Sequence, residues 1–241
     1  MCGRFRVARK KEILEAAFDA EDAMDGLDWV PRYNVAPGQE IAVVRQDAAQ
    51  PVRRLSPMRW GLIPSWVEDP SVGYKMINAR SETVATMPAF REPFRLRRCL
   101  IPADGFYEWR REGKSKLPFC FTLADESVFA FAGIWERWKN PQDRWIKSCS
   151  ILTTTANELT RDIHDRMPVI LPREVYDLWL DPGFTELSEL QPLLKPYPAE
   201  SMRRYPVSQR VNQVKNDDVE CAAEIDPAQL NESRESGPLL Y

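Results

Sequence analysis

From Arg98 onward, apolar and aromatic runs alternate with turn signals. The runs are Cys99 to Ala103, Phe106 to Trp109, Pro118 to Leu123, Val128 to Trp135 and Trp145 to Thr155, with Glu112-Gly113-Lys114 and Asn140-Pro141 as turns between them. Short runs at this spacing predict the strands of an antiparallel meander. Upstream, Ile13, Leu14, Ala17 and Phe18 recur at helical spacing and predict a short amphipathic helix over Lys10 to Asp19. Met1 to Val7, ahead of it, reads as an extended segment that enters the core. Ile41 to Arg45 and Arg53 to Trp60 read as paired strands. Tyr33 to Gly38 carries proline and glycine as turn punctuation, and Trp60 to Trp66, with two tryptophans, a glycine and a proline, reads as a rigid aromatic loop.

Downstream, Asn157 to Ile163 reads as a helical turn and Met167 to Leu171 as a strand. Glu174 to Leu180 and Leu187 to Leu194 read as short helices. Strands followed by segregated helices predict an α+β fold, a single domain with an antiparallel, barrel-like β core and peripheral helices. The domain is expected over residues 1–226. The segment 227–241, with Pro227, Asn231, Ser233, Ser236 and Gly237, reads as a disordered acidic tail.

Composition adds compartment and charge. No stretch approaches the roughly 18 uninterrupted apolar residues a membrane span requires, and the N-terminus has no signal-peptide core, so a cytoplasmic protein with no membrane partner is expected; a monomer is expected as well. Five cysteines at scattered spacings and one histidine leave no zinc or disulfide pattern, and neither metal nor cofactor is expected. The net charge is −3, but residues 217–241 carry seven acids and one base, so the tail sums to −6 and the body to +3. Of the 33 basic residues 24 are arginine, whose planar fork suits phosphate as well as it suits a solvated surface.

Three residues could carry chemistry. Removal of Met1 before a small second residue would leave Cys2 at the N-terminus with two adjacent nucleophiles, an α-amine and a thiol, both partly reactive at neutral pH. Its amine can form an imine with an aldehyde, and its thiol can then close a thiazolidine. From position alone, a small cysteine opening a buried strand is an equal alternative. His164 is the lone histidine and the first candidate for proton transfer. Glu108 stands between aromatics, where burial would raise its pKa towards general acid and base work. Arg4, Arg80, Arg91, Arg95, Arg97, Arg98 and Arg166 could contact phosphates, and Trp60, Trp66 and Trp109 could stack on bases.

Taken in order, Met1-Cys2-Gly3-Arg4-Phe5, Tyr33-Asn34-Val35-Ala36-Pro37, Trp60-Gly61-Leu62-Ile63-Pro64-Ser65-Trp66, Asn78-Ala79-Arg80-Ser81-Glu82-Thr83, Gly105-Phe106-Tyr107-Glu108-Trp109 and Ile163-His164-Asp165-Arg166-Met167-Pro168 closely resemble the SOS response-associated peptidases, the SRAP family. The resemblance runs to about Asp218. It implies covalent capture of abasic sites in single-stranded DNA, with Cys2 as the crosslinking residue and Asn78, Glu108 and His164 around it. It further implies Arg80 and Arg166, with Arg4, on backbone phosphates. The family's wedge after the Trp-Gly motif falls on Trp66 and Val67, where Val67 departs from a second aromatic. The family name implies a peptidase activity, most simply the autoproteolytic exposure of Cys2. An N-terminal-nucleophile hydrolase acting on amides, or a DNA-binding module without covalent chemistry, are the competing readings, and replacing Cys2 discriminates them.

Overall fold

The computed structural model describes residues 2–24, 29–47, 51–113 and 115–226. Met1, Lys114 and the tail 227–241, whose disorder the sequence predicts, lie outside them. Among the described residues the strands are, in chain order, β1 (Phe5–Val7), β2 (Ala20–Asp22), β3 (Arg32–Val35), β4 (Glu40–Gln46), β5 (Arg53–Trp60), β6 (Asn78–Arg80) and β7 (Arg98–Ala103). They continue with β8 (Gly105–Glu112), β9 (Ser115–Leu123), β10 (Phe129–Lys139), β11 (Trp145–Thr155), β12 (Arg166–Pro168), β13 (Ile170–Leu171) and β14 (Met202–Pro206). The α-helices are α1 (Lys11–Phe18), α2 (Pro88–Leu96), α3 (Tyr176–Leu180) and α4 (Leu187–Leu190). No helix of the described residues is long and apolar enough to cross a membrane.

One sheet runs β14-β9-β8-β1-β3, and a second runs β12-β11-β10-β7-β4-β5-β2. An extra parallel pairing of β11 with β5 closes β5, β4, β7, β10 and β11 into a ring, so the core is barrel-like as expected. The strands expected to form one meander are divided: β8 and β9 pair antiparallel in the first sheet, while β7, β10 and β11 are antiparallel neighbours in the second, β7 pairing with β10 and not with β8; β2–β5, β5–β11 and β6–β11 are parallel. Ring closure removes two open strand edges, which would otherwise expose unpaired backbone groups.

The N-terminal segment enters the core as the sequence predicts. Strand β1 lies between β8 and β3, and Phe5 is fully buried, with ring centroids 5.1 Å from Trp60 and 5.7 Å from Phe131. Three bulky rings meeting between the two sheets make this region the hydrophobic centre, since each buries about 150–250 Å². Cys2 is fixed three residues before that anchor.

Four differences from the pattern have local causes. Arg32–Val35 is a strand rather than a turn, and the turn begins only after it, at Pro37-Gly38. Pro88–Leu96 is a helix that its prolines conceal: Pro88 sits in the first turn, where no N–H is needed, and Pro93 belongs to the buried face with Ala89, Phe90 and Phe94. Met167 to Leu171 is split, because β12 pairs with β11 and β13 with β10. Finally, Met202–Pro206 is a strand on the edge of the first sheet, disguised by Arg203 and Arg204.

Candidate active site and nucleic-acid interface

Strands β1, β6 and β8 bring together residues that are far apart in sequence. Asn78 donates from Nδ2 to the Cys2 carbonyl oxygen at 2.8 Å. Its Oδ1 is buried with no hydrogen-bond partner. An orphaned buried acceptor costs roughly 1–3 kcal/mol, a cost that a donor group of a bound molecule would relieve. Cys2 itself is fully buried, and burial first, then the neighbouring Glu108 carboxylate, pushes its thiol far above the ordinary value. The thiol is therefore protonated at neutral pH. Glu108 is 4% exposed, and burial raises its carboxyl from 4.5 to about 7. A carboxyl at that value is present in both protonation states near pH 7, as general acid–base work requires.

His164 ends a helical turn, not a full helix, in agreement with the pattern. Asn157 caps the turn by accepting from the Thr160 amide at 3.0 Å, and the His164 amide bonds the Thr160 carbonyl at 2.9 Å. The imidazole Nδ1 accepts from the Arg166 amide at 3.0 Å, a bond that places the ring proton on Nε2 in the neutral form. Asp165 Oδ1 also lies 2.9 Å from Nδ1, a contact that becomes an ion pair only when the ring is protonated. Burial lowers the His164 pKa from 6.5, so the neutral ring prevails at pH 7.

The two arginines of the Asn-Ala-Arg and His-Asp-Arg motifs flank one strand end. Arg80 stands opposite Thr153 on β6, and Arg166 opposite Thr155 on β12, with β11 between them. Arg80 is exposed. Arg166 holds Glu82 through two bonds of 2.5 and 3.0 Å and the Thr153 carbonyl at 2.6 Å, so a phosphate there would compete with Glu82. Trp66 is 59% exposed on its loop. That loop is pinned: Gly61 takes φ +125° where a Cβ would lie 2.7 Å from the Gly73 carbonyl, and the half-buried Val67 accepts from Trp138 Nε1 at 2.7 Å.

A cleft of about 400 Å³ opens beside the site, lined by Arg4, Glu108, Trp109, Arg111, Lys116, His164 and Asn212. Arg4 is largely spoken for. It donates to Asn34 Oδ1 and to the Val211 carbonyl, both at 2.8 Å, and its guanidinium lies 5.8 Å from the Trp109 ring centroid. Trp109 in turn donates from Nε1 to Asn212 Oδ1 at 2.7 Å.

Several expectations fail here. Arg98 is buried and bonds the carbonyls of Phe94, Arg95, Trp179, Asp181 and Phe184, so its charge serves the fold and not a phosphate. Arg97 is bound to Glu136 at 2.8 Å. Trp60 is fully buried, with its Nε1 on the Ile77 carbonyl, and offers no face to a base. Asn34 has a role that its sequence motif does not announce. Its buried amide donates to the carbonyls of Val211, Gln213 and Asn216, tying the Tyr-Asn-Val motif to a segment more than 170 positions away. A polar residue inside a strand is the only local signal of that role.

The family model described as SOS response associated peptidase (SRAP) matches residues 1–214. The chain belongs to the SRAP family. It is 45% identical over 221 residues to the abasic site processing protein YoqW of Bacillus subtilis, a match that covers 91% of this chain and 98% of the relative. The SRAP relative HMCES of Gallus gallus, also named an abasic site processing protein, is 33% identical over 265 residues, covering 94% of this chain and 78% of its own. A crystal structure of a Bacteroides thetaiotaomicron protein superposes with a TM-score of 0.82 at 29% identity, covering 93% of this chain and all of the other.

Proposed function

We propose that this SRAP protein senses abasic sites in single-stranded DNA and captures them covalently through Cys2, once Met1 has been removed. The observation that carries the reading is the meeting of Asn78, Glu108 and Cys2: an amide bonded to the Cys2 backbone, an orphaned acceptor, and a carboxyl raised to about 7 beside a protonated thiol. The names of the YoqW and HMCES relatives support the substrate class. The reading places the protein in the DNA damage response, where a covalent linkage shields the lesion.

The abasic sugar is a ring hemiacetal, and opening it breaks the bond from C1 to the ring oxygen, which takes a proton. The His164 imidazolium, the minor form at pH 7, gives its Nε2 proton to that oxygen and is left neutral, while Glu108 takes the proton from the C1 hydroxyl; the proton shed by nitrogen as the imine forms returns to His164. The Cys2 α-amine then adds to the C1 aldehyde, and Glu108, now protonated, assists departure of water to give the imine. The Cys2 thiol adds to the same carbon, its proton passing to nitrogen by way of Glu108. The sum is one sugar plus one N-terminal cysteine giving one thiazolidine and one water. Asn78 Oδ1 accepts from a sugar hydroxyl or the reacting nitrogen, which satisfies its orphaned lone pair.

Arg80 and Arg166 hold phosphates on either side, Arg4 keeps the cleft wall in place, and Trp66 with Val67 stands as a wedge against continuing duplex. The functional unit extends past the family match to about residue 226, since Asp217 accepts from the Tyr33 and Asn34 amides at 2.6 and 2.8 Å and Glu224 bridges Val207. Loss of Met1, by the protein's own action or by an aminopeptidase, is required because an acylated nitrogen cannot form the imine. Intact mass before and after incubation with an abasic oligonucleotide tests the proposal. The expected result is a chain without methionine that gains the oligonucleotide mass less one water. No gain, or an equal gain in Cys2→Ala, refutes it.

A further inference from the structure

We infer that the end of the β8–β9 hairpin holds a backbone phosphate of the bound strand between Arg111 and Lys116, a few nucleotides from the reacting sugar. The inference rests on the single-stranded DNA reading above. Arg111 and Lys116 face each other directly across the antiparallel pair, and both are exposed. Facing residues on one sheet face stand about 4.5–5.5 Å apart at Cβ, and like charges there repel. The acid nearest in sequence does not relieve them: Glu112 is held by Arg110 at 2.6 Å, and both point to the opposite face by strand alternation. Among the described residues neither Arg111 nor Lys116 has an acidic partner.

A repulsive pair of cations at the rim of a cleft becomes an attractive one when an anion lies between them. Glu108, from the other face of β8, and His164 line the same cleft, so an anion held by this pair can belong to a molecule that reaches the active site. Trp109 shares the face of Arg111 and stands between Arg111 and Glu108 along β8, Glu108 itself being on the alternate face; its ring is fixed by Asn212 and backed by the Arg4 guanidinium. That ring gives a base a flat surface on the way to the phosphate. At about 3.3 Å per residue, Arg111 lies roughly 10 Å along the strand from Glu108. With stacked nucleotides about 3.4 Å apart on one strand, the phosphate is about three nucleotides from the lesion, and fewer where the strand is extended.

The test uses the full chain, an intact single-stranded 15-mer and abasic versions truncated from either end. Arg111→Ala/Lys116→Ala should bind the intact 15-mer roughly tenfold more weakly, the loss of one charge-assisted phosphate contact. Its dependence of log K on log salt should flatten by about 0.7. Shortening the oligonucleotide on one side alone should abolish the difference from wild type, and Arg111→Lys/Lys116→Arg should restore affinity. Melting temperature should equal or exceed that of wild type, because repulsion is relieved. Equal affinity and equal slope in the alanine variant overturn the inference, whatever the crosslinking result. A weakened alanine variant in a chain whose wild type forms no crosslink keeps the phosphate site and removes only the covalent reading.

Discussion

Glu108→Gln separates the two consequences of burying a carboxyl in the site. Burial raises this group from 4.5 to about 7, so the folded chain binds more protons than the unfolded chain throughout that interval. Stability therefore falls as pH rises from about 4.5 through 7, and the loss is complete above the folded value. At about 1.36 kcal/mol per pKa unit the carboxylate costs about 3 kcal/mol at pH 8 that it does not cost at pH 4.5. Glutamine keeps the shape and never ionises. Urea unfolding at a series of pH values should show the variant and wild type close together near pH 4.5 and the variant about 3 kcal/mol ahead at pH 8. Crosslinking by the variant should be slower by ~10²- to 10⁴-fold, the usual worth of positioned proton transfer. Parallel stability curves across this range would show that Glu108 is not a strained buried acid, and undiminished crosslinking would remove its role as proton carrier.

His164→Ala should slow crosslinking by a similar ~10²- to 10⁴-fold while leaving affinity for intact single-stranded DNA unchanged; equal losses in both, measured by rate and by anisotropy, would reassign His164 to structure. Asn34→Ala removes a buried amide with three carbonyl acceptors and an Arg4 donor, and about 3 kcal/mol of stability should go with it, seen as a melting temperature lower by roughly 10 °C. Abasic sites in single strands, or beside duplex on one side, should crosslink faster than the same site within continuous duplex. Trp66→Ala should narrow that preference by the ~1–3 kcal/mol of one aromatic stack, and a wild-type preference for full duplex would contradict the wedge.

The alternation of apolar runs and turn signals after Arg98 is enough to mark the strands from β7 to β11 and the short helices beyond, because burial and turn chemistry are local; how those strands divide between two sheets, with β7 beside β10, is not. Single residues whose chemistry is intrinsic, a cysteine at position 2 and a lone histidine, were equally visible, and so was the aromatic setting of Glu108. What pattern could not decide depended on distant partners. The closure of β11 onto β5 pairs segments about ninety residues apart, and no local period encodes it. Arg98 and Arg80 look alike in the chain, yet five backbone carbonyls at converging loop and helix ends consume the first and leave the second exposed. Helix α2 was hidden because its prolines forbid a helix only where an N–H is needed, and packing of Phe90 and Phe94 outweighs the one bond lost. The raised pKa of Glu108, the orphaned oxygen of Asn78 and the facing cations of the β8–β9 hairpin are likewise products of burial and register. Desolvation and cross-strand charge depend on what the folded chain brings near, and sequence spacing alone does not carry that information.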